Sequence, residues 1–286
     1  MKIIKYFFQF FLILTLFFIF KIVGPKIASN LSSRIFKLIG PFFRSKEIIE
    51  LNISKALPNL SEQQLKNMIK NMWGNYGRIL SEYVFMKDFR NSTLSNNIEI
   101  EGSEILESIK DENKPVIFIS GHFNNFELMA MHIEKAGINL ATIYRPLNNK
   151  FLNILMENIR IKYICKNQIK KGVAGTRQLL SFFKRNTSIA LMIDQRVSQG
   201  IKSKFFNHPA FTTTIPAQFI KKYNCKVVPI YIERTKEINF KLTVLKPLHY
   251  SKNETIDSIT QSLNGILEKM ILKNPNQWIW SHNRWK

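Results

Sequence analysis

From residue 98 onward the sequence alternates short apolar runs with longer amphipathic stretches. This alternation is typical of β-α units, so the predicted fold class is α/β, with a mostly parallel central sheet flanked by helices. Between residues 30 and 95, apolar residues recur at spacings of three and four, which predicts helices. The predicted strands lie near 98–101, 116–120, 140–144, 188–193, 226–232 and 240–245. The predicted helices lie near 124–136, 149–162, 173–185, 214–223 and 255–272.

The beginning of the chain is strongly apolar. After Lys2 and Lys5, the stretch Tyr6–Phe20 contains only Gln9 and Thr15 as polar residues. Together with the residues that follow, it makes an apolar segment of about 18 residues, the short end of the range for a bilayer-spanning helix. A signal peptide would share this pattern, but no clean cleavage site of small residues follows. The sequence therefore predicts an N-terminal membrane anchor over residues 1–25, spanning or interfacial.

Basic residues follow the anchor more densely than they precede it. They are Arg34, Lys37, Arg44 and Lys46. By the positive-inside rule the body of the protein stays in the cytoplasm, with a single-pass N-terminal anchor. We expect one domain over residues 26–286, whose N-terminal part, about 30–95, is helical.

The charge of the chain predicts an anionic partner. The 42 Lys and Arg residues against 20 Asp and Glu give a net charge of +22, which favours nucleic acid, an anionic membrane surface or an acidic substrate. An A/T-rich coding sequence would also raise the Lys count. Cys165 and Cys225 belong to no C-x-x-C pair, so neither a disulfide framework nor a zinc site is indicated.

Polar residues follow three of the predicted strands. His122 follows the strand at 116–120, Arg145 follows the strand at 140–144, and Asp194 with Gln195 follows the strand at 188–193. In open α/β sheets, ligands bind beyond the carboxyl ends of the strands. The sequence therefore predicts a site at this edge.

His122 and Glu127 are a candidate catalytic pair. Five residues apart on a continuous helix, they would point about 140° apart, so they meet only across a strand-to-helix turn. Gly121 supplies a permissive turn residue and Asn124 a plausible N-cap. The Glu127 carboxylate would then accept the Nδ1 proton of His122. In the alternative interpretation, Glu127 completes a capping box and His122 fills a turn.

Several reaction classes lack their motif. There is no G-x-S-x-G nucleophile elbow, no H-E-x-x-H metal motif and no glycine-rich phosphate loop. With a base but no protein nucleophile beside it, the simplest chemistry has His122 activate a hydroxyl of the substrate. No metal and no cofactor is predicted.

The stretch SGHFNNFELMA resembles the His-x-x-x-x-acid motif of the lysophospholipid acyltransferase superfamily, in the glutamate form of the lipid A late acyltransferases, the lauroyl and myristoyl transferases. The resemblance extends along most of the chain, through YRPLNN, IALMIDQR, KFFNHPAFTTT, VVPIYIER and NPNQWIWSHNRWK. It implies a glycerol-3-phosphate acyltransferase-like fold and an enzyme of the bacterial inner membrane. It further implies transfer of a fatty acyl chain from acyl carrier protein to a hydroxyl of a lipid A precursor of the Kdo2-lipid IVA type.

The resemblance also implies roles for individual residues. His122 corresponds to the general base and Glu127 to its orienter. The further polar site positions are Arg145, Arg160, Asp194 and Gln195. An ordinary ion pair between Arg145 and Asp194 is the alternative for those two residues.

Three phenylalanines are candidates for an acyl-chain pocket, with core packing as the alternative: Phe205, Phe206 and Phe211. Trp278 and its neighbouring tryptophans form either an interfacial belt or simple packing. Asn207 stands where the family pattern leads us to expect glycine.

The predicted partners are acyl carrier protein, the lipid A precursor and the anionic inner membrane, and not nucleic acid. Two other functions stay open. The first is an acyltransferase acting on another glycolipid or on a glycerophospholipid. The second is a membrane-tethered, non-enzymatic binder of anionic polymer or lipid.

Overall fold

The computed structural model describes residues 2–286; Met1, the first residue of the predicted anchor, lies outside the described residues. Over residues 2–286 the chain forms eleven α-helices and nine strands. The helices are α1 Lys2–Val23, α2 Pro25–Ile39, α3 Lys46–Ala56, α4 Glu62–Glu82, α5 Met86–Asn91, α6 Ser103–Glu112, α7 Glu127–Lys135, α8 Lys150–Ile159, α9 Val173–Lys184, α10 Ile215–Tyr223 and α11 Ile256–Lys273. The strands are β1 Ile98–Glu101, β2 Ile117–Ser120, β3 Leu140–Tyr144, β4 Asn167–Lys170, β5 Ser188–Met192, β6 Ile201–Phe205, β7 His208–Thr212, β8 Val227–Lys236 and β9 Asn239–Val244.

Seven strands form the central sheet, in the order β1-β9-β8-β2-β5-β3-β4. Strands β8, β2, β5, β3 and β4 run parallel, and β9 pairs antiparallel with β8. The connections between these strands lead outward through α7 and α8 and back through α9 and α10. Because such crossovers are right-handed in nearly all parallel sheets, the two helix pairs belong on opposite faces. The carboxyl ends of five parallel strands therefore meet at one edge.

The predicted α/β class, with a mostly parallel central sheet flanked by helices, is confirmed. The sequence missed β4 because its four residues, NQIK, are mostly polar. It also missed the separate β6-β7 hairpin, where Phe206 and Asn207 form the turn with φ of 49° and 59°. Asparagine tolerates the left-handed region better than most residues, so Asn207 serves where glycine was expected.

The predicted start of α7 is wrong. Asn124 does not cap the helix, which begins at Glu127, and Asn124 itself has a left-handed φ of 41°. Its side-chain oxygen accepts a hydrogen bond from Arg234 Nε at 3.2 Å. The segment after His122 is therefore an irregular turn held by distant residues.

The N-terminal helices form the predicted helical part of the body. Helix α2 packs closely on α4 through small residues: Ser32 Oγ donates to the carbonyl of Gly77 at 2.6 Å, and a Cβ on Gly77 would lie 2.2 Å from the Ser32 carbonyl oxygen. Helix α1 is long and apolar enough to cross a membrane. Its residues Phe17 and Phe20 belong to the hydrophobic core. The domain division at residue 25 stays a prediction.

Candidate active site

A cavity of about 1120 Å³ lies at the carboxyl edge of the sheet. Its wall contains five of the residues singled out from the sequence, namely His122, Glu127, Arg145, Arg160 and Gln195. Asp194 lies directly behind His122 and is buried. The structure therefore brings the six predicted polar positions to one place.

Asp194, and not Glu127, is hydrogen-bonded to the imidazole of His122. Strands β2 and β5 are neighbours with Ser120 opposite Met192, and the same register, continued two residues further, sets His122 opposite Asp194. His122 Nδ1 lies 2.8 Å from Asp194 Oδ1, and the backbone N–H of His122 donates to Asp194 Oδ2 at 2.7 Å. The parallel pairing of two strands thus orients the imidazole.

The electrostatics of this pair keep Asp194 ionised and raise the affinity of His122 for a proton. Burial alone would raise the pKa of Asp194, but the His122 charge and the hydrogen bonds from His122 and from the Trp278 indole N–H, at 2.8 Å, lower it. Burial would lower the pKa of His122, and Asp194 outweighs it, so that this pKa is raised above its ordinary value. Because an ionised Asp194 makes Nδ1 the donor, Nε2 is free to accept a proton.

Gly121 allows this close approach. A Cβ atom at this position would lie 3.2 Å from Asp194 Oδ2 and 3.0 Å from both Leu267 Cδ1 and Phe123 Cε2. These distances are shorter than ordinary carbon contacts. A larger residue would therefore require Leu267, Phe123 or Asp194 to shift by a few tenths of an ångström.

Glu127 belongs to a second cluster in the same cavity wall. Its Oε1 accepts hydrogen bonds from Arg160 Nε at 2.8 Å and Nη2 at 2.6 Å, and also one from the Tyr83 hydroxyl. Arg160 Nη2 in turn donates to the Tyr83 hydroxyl at 2.8 Å. The guanidinium lies 5.8 Å from the ring centre of Tyr83 and 5.6 Å from that of Tyr144. The expected contact of Glu127 with His122 is thus replaced by a contact with Arg160.

The second cluster holds a permanent positive charge. Burial would lower the pKa of Arg160, but the charge of Glu127 outweighs it and the pKa is raised further. Burial, followed by the charge of Glu127, raises the pKa of Tyr83 well above its ordinary value. Arg160 therefore stays a cation and Tyr83 a neutral phenol at any pH at which the protein works.

The turn that carries His122 is fixed by a buried ion pair. Arg234 binds Glu82 through two contacts, 2.7 Å from Nη1 to Oε1 and 3.0 Å from Nη2 to Oε2. Glu82 also accepts from Asn125 Nδ2 at 3.0 Å, while Arg234 donates to Asn124. Both asparagines follow His122 in the chain, so this pair ties the irregular turn to α4 and β8.

The rest of the wall is largely apolar. Helix α7 contributes residues at helical spacing and the sheet contributes a row of cross-strand neighbours, in which Phe118 and Thr142 both face Ala190 in register. The residues at helical spacing are Phe126, directly before the helix, and Met129, Ala130 and Ile133 within it. A hydrocarbon chain would be removed from water in this part of the cavity, which contributes about 0.8 kcal/mol per buried CH₂.

The three phenylalanines predicted as an acyl pocket lie elsewhere. Phe205 is fully buried against Phe206 and Trp285, and Phe211 packs under the guanidinium of Arg196 at 5.5 Å. Among the residues that line the described cavity, none of the three is present. They pack the hairpin against the C-terminal segment, so the core-packing alternative fits the structure.

Basic residues surround the mouth of the cavity and an adjoining recess of about 580 Å³. They are Arg44, Arg145, Lys171, Arg196 and Lys286. Arg196, Arg145 and Lys171 follow the neighbouring strands β5, β3 and β4, so three adjacent strand ends each carry a cation. Within the described residues, the lining of this recess includes no Asp or Glu. Asp194 is used by His122, which leaves Arg145 available to an anionic ligand.

Sequence reasoning missed two contributors to the site. Tyr83 comes from the helical N-terminal part, which had been interpreted only as packing, and nothing in its sequence context indicates a site. Trp278 was expected in a membrane belt or in simple packing, and its indole instead binds Asp194. A buried indole N–H usually has a hydrogen-bond partner, and this general rule is the only signal in the sequence that could have indicated a role for Trp278 at the site.

Comparison with known proteins identifies the family. The model of the family described as "Bacterial lipid A biosynthesis acyltransferase" matches residues 1–286. The chain belongs to this family. Family membership makes it an O-acyltransferase and excludes the non-enzymatic alternative.

Several members of the lipid A acyltransferase family are similar over most of the chain. The Escherichia coli (strain K12) lipid A biosynthesis palmitoleoyltransferase is 22% identical over 262 residues, covering 90% of this chain and 84% of that protein. The lauroyltransferase of the same organism is 22% identical, covering 85% and 79%. The myristoyltransferase is 20% identical, covering 90% and 80%.

The fold comparison is more distant. The 1-acyl-sn-glycerophosphate acyltransferase PlsC from Thermotoga maritima is 12% identical with a TM-score of 0.43, covering 90% of this chain and 100% of that one. The assignment to the lipid A acyltransferase family rests on the sequence comparisons alone.

Proposed function

We propose that this acyltransferase moves a fatty acyl chain from the thioester of acyl carrier protein to a hydroxyl group of a phosphorylated lipid A precursor. The observation that carries the proposal is the His122–Asp194 pair, set between an apolar cavity and a basic rim. The apolar wall suits the acyl chain. The rim suits both an acidic carrier protein and the phosphates of the acceptor.

In the proposed mechanism His122 is the general base. Nε2 takes the proton of the acceptor hydroxyl while the hydroxyl oxygen attacks the thioester carbonyl carbon. The tetrahedral intermediate collapses with cleavage of the carbon–sulfur bond, and the imidazolium returns its proton to the departing thiolate. Asp194 holds the Nδ1 proton and stabilises the imidazolium throughout. The products are the ester and the free carrier thiol.

Glu127 has a different role in this proposal from the one that the resemblance implies. Because its Oε1 is occupied by Arg160 and Tyr83, it holds the guanidinium in the cavity wall. A fixed cation in a partly dehydrated cavity stabilises negative charge that develops on a substrate oxygen. The enzyme acts at the cytoplasmic face of the bacterial inner membrane, where an acyl carrier protein donor is present.

The reaction is tested with purified full-length protein in detergent and a panel of acceptors. We expect acyl transfer from acyl carrier protein to a phosphorylated glucosamine disaccharide lipid, with a higher KM for its dephosphorylated counterpart. Product mass identifies the acceptor. Preferential acylation of another glycolipid or of a lysophospholipid would support the alternative acceptors and overturn the lipid A proposal.

The acyl-binding part of the proposal is tested at Ala190. The change Ala190→Leu adds volume in the middle of the apolar wall. It should lower activity with long donors relative to shorter ones, by about 10-fold or more for each methylene group that no longer fits. Ala174→Leu, at an exposed position of α9, is the matched control. An unchanged donor profile in Ala190→Leu would place the acyl chain elsewhere.

A further inference from the structure

Helix α1 packs against the body of the protein from Tyr6 to Val23. Residues recurring at spacings of three and four face the body: Tyr6, Phe10, Ile13, Phe17 and Phe20. Phe17 and Phe20 are only 8% and 2% exposed. This is the pattern of a helix packed on its side against a neighbour, and it runs through the stretch that the sequence predicts as a membrane anchor.

Both ends of this apolar stretch are attached to the body. Near the start, Asn149 Nδ2 donates to the carbonyl of Tyr6 at 2.8 Å, and the rings of Phe10 and Phe151 lie 5.9 Å apart. Near the end, Lys21 Nζ lies 2.7 Å from Asp88 Oδ2. The 15 residue steps from Tyr6 to Lys21 span about 22 Å of helix. This is most of the roughly 30 Å hydrocarbon thickness of a bilayer.

Helix α8 lies beside α1 and is itself partly apolar at its surface. The exposed apolar residues in and next to it are Leu147, Phe151, Ile154 and Ile161. Lys150 and Lys162 are exposed among them. If α1 stood along the bilayer normal, α8 and these two lysines would be carried into the hydrocarbon, where a charged side chain is strongly unfavourable. At the interface, lysines extend their ammonium groups to the headgroups.

The side of α1 that faces away from the body is apolar, which favours contact with lipid. Residues on it are large, apolar and exposed, among them Ile4, Phe11 and Phe18 at 62%, 49% and 69%. Further exposed apolar residues lie along α2 and at Phe42 and Phe43, and Phe43 also lines the catalytic cavity. Exposed apolar side chains thus occur from α1 to the mouth of the site.

We propose that α1 and α8 lie side by side in the plane of the membrane, embedded in one leaflet, and that α1 does not cross the bilayer. The binding partner of this surface is the acyl-chain and headgroup region of that leaflet. A lipid substrate then reaches the cavity sideways, past Phe43. The orientation is independent of the acceptor and donor proposed above.

The depth of α1 in the membrane decides between the two orientations. In a background with Cys165→Ala and Cys225→Ala, a nitroxide is attached in turn to Ile4→Cys, Phe11→Cys and Phe18→Cys. The full-length protein is reconstituted in vesicles of phosphatidylethanolamine and phosphatidylglycerol, and depth is measured from relaxation by oxygen and by a water-soluble nickel complex. Leu272→Cys, on an exposed face of α11, is the aqueous control.

The two orientations give different depth profiles. These three positions are seven residues apart and share a face, so a helix in the membrane plane gives three similar depths within one leaflet. A crossing helix spreads them over about 21 Å, with Phe11 deepest. That spread would overturn the proposal.

A second test measures vesicle binding. Ile154→Asn should lower the partition into the same vesicles about tenfold or more, because an apolar contact is lost at α8 and no charge is added. Leu272→Asn should leave partition unchanged. An unchanged partition of Ile154→Asn would exclude α8 from the membrane contact and overturn the side-by-side arrangement.

Discussion

The cavity contains two buried carboxylates with different partners: Asp194 faces an imidazole and Glu127 faces a guanidinium. Both acids are almost fully buried, and both accept hydrogen bonds from several donors. The imidazole can lose a proton in the working pH range and the guanidinium cannot. The partner of each acid, more than its burial, therefore determines whether the pair can transfer a proton or can only hold a charge in place.

The largest effect is expected where the proton moves. His122→Ala removes the general base, so kcat should fall by about 10³-fold or more. The measurement is steady-state acyl transfer, with circular dichroism as the test of folding. His249→Ala, at an exposed position, is the control. A folded His122→Ala variant with near-normal kcat would show that His122 is not the general base.

A somewhat smaller effect is expected from the acid behind the base. Asp194→Asn should lower kcat by about 10²- to 10³-fold, because the imidazole loses its orienter and the charge that stabilises its protonated form. The exposed Asp257→Asn is the matched control.

The pH dependence sharpens this second prediction. Asp194 raises the pKa of His122 above 6.5, so activity of the unmodified enzyme should rise with pH through a value above 6.5. Asp194→Asn removes the main contribution that raises the pKa of His122 and leaves the lowering effect of burial, so the pH–rate curve should move to lower pH. A curve that stays in place would show that Asp194 does not act on the titrating group.

The change Glu127→Gln tests whether the Glu127–Arg160 pair acts separately from the His122–Asp194 pair. It weakens a charge-assisted contact to Arg160, worth about 1.5–3 kcal/mol, so kcat should fall by about 10- to 150-fold. The charge of Glu127 also raises the pKa of His122, but less than Asp194 does, so the pH–rate curve should move to lower pH by less than in Asp194→Asn. Arg160→Lys should have a similar effect, and the double variant should be less than additive because the two residues act together. If Glu127 were instead the orienter of His122, Glu127→Gln would shift the pH–rate curve as Asp194→Asn does.

The smallest effect is expected at Tyr83. Tyr83→Phe removes one neutral donor and leaves Glu127 paired with Arg160, so kcat/KM should fall by about fivefold, corresponding to about 1 kcal/mol. Tyr250→Phe, which removes a hydroxyl bonded to Ser262 far from the cavity, is the control. A loss above about 100-fold would mean that the phenol contacts the reacting groups directly.

The sequence predicted the position of the site better than its pairings. Strand-end residues were expected at one edge, and they lie there because the apolar runs form parallel strands. The partner of His122 could not be predicted, because it depends on β5 lying next to β2, and strand order is not contained in the periodicity of either strand. Glu127 was the nearer acid in sequence, and Asp194 is the nearer acid in space.

The missed elements have a related cause. Strand β4 has one fully buried residue, Ile169, and is held in place by pairing with β3, so its own apolar pattern is too weak to identify it. The phenylalanines of the hairpin are apolar, but their composition does not distinguish a pocket wall from a core. Only the packing against Trp285 and Arg284 decides that question.

The segment that follows α11 determines when, during synthesis of the chain, the catalytic site can be completed. Trp278 binds Asp194, Gln277 accepts the backbone N–H of Arg234, and the ring nitrogen of His282 accepts the backbone N–H of Arg196. The base and its acid are both translated much earlier than these residues. The catalytic centre therefore lacks these contacts until the last residues of the chain have been made and have docked.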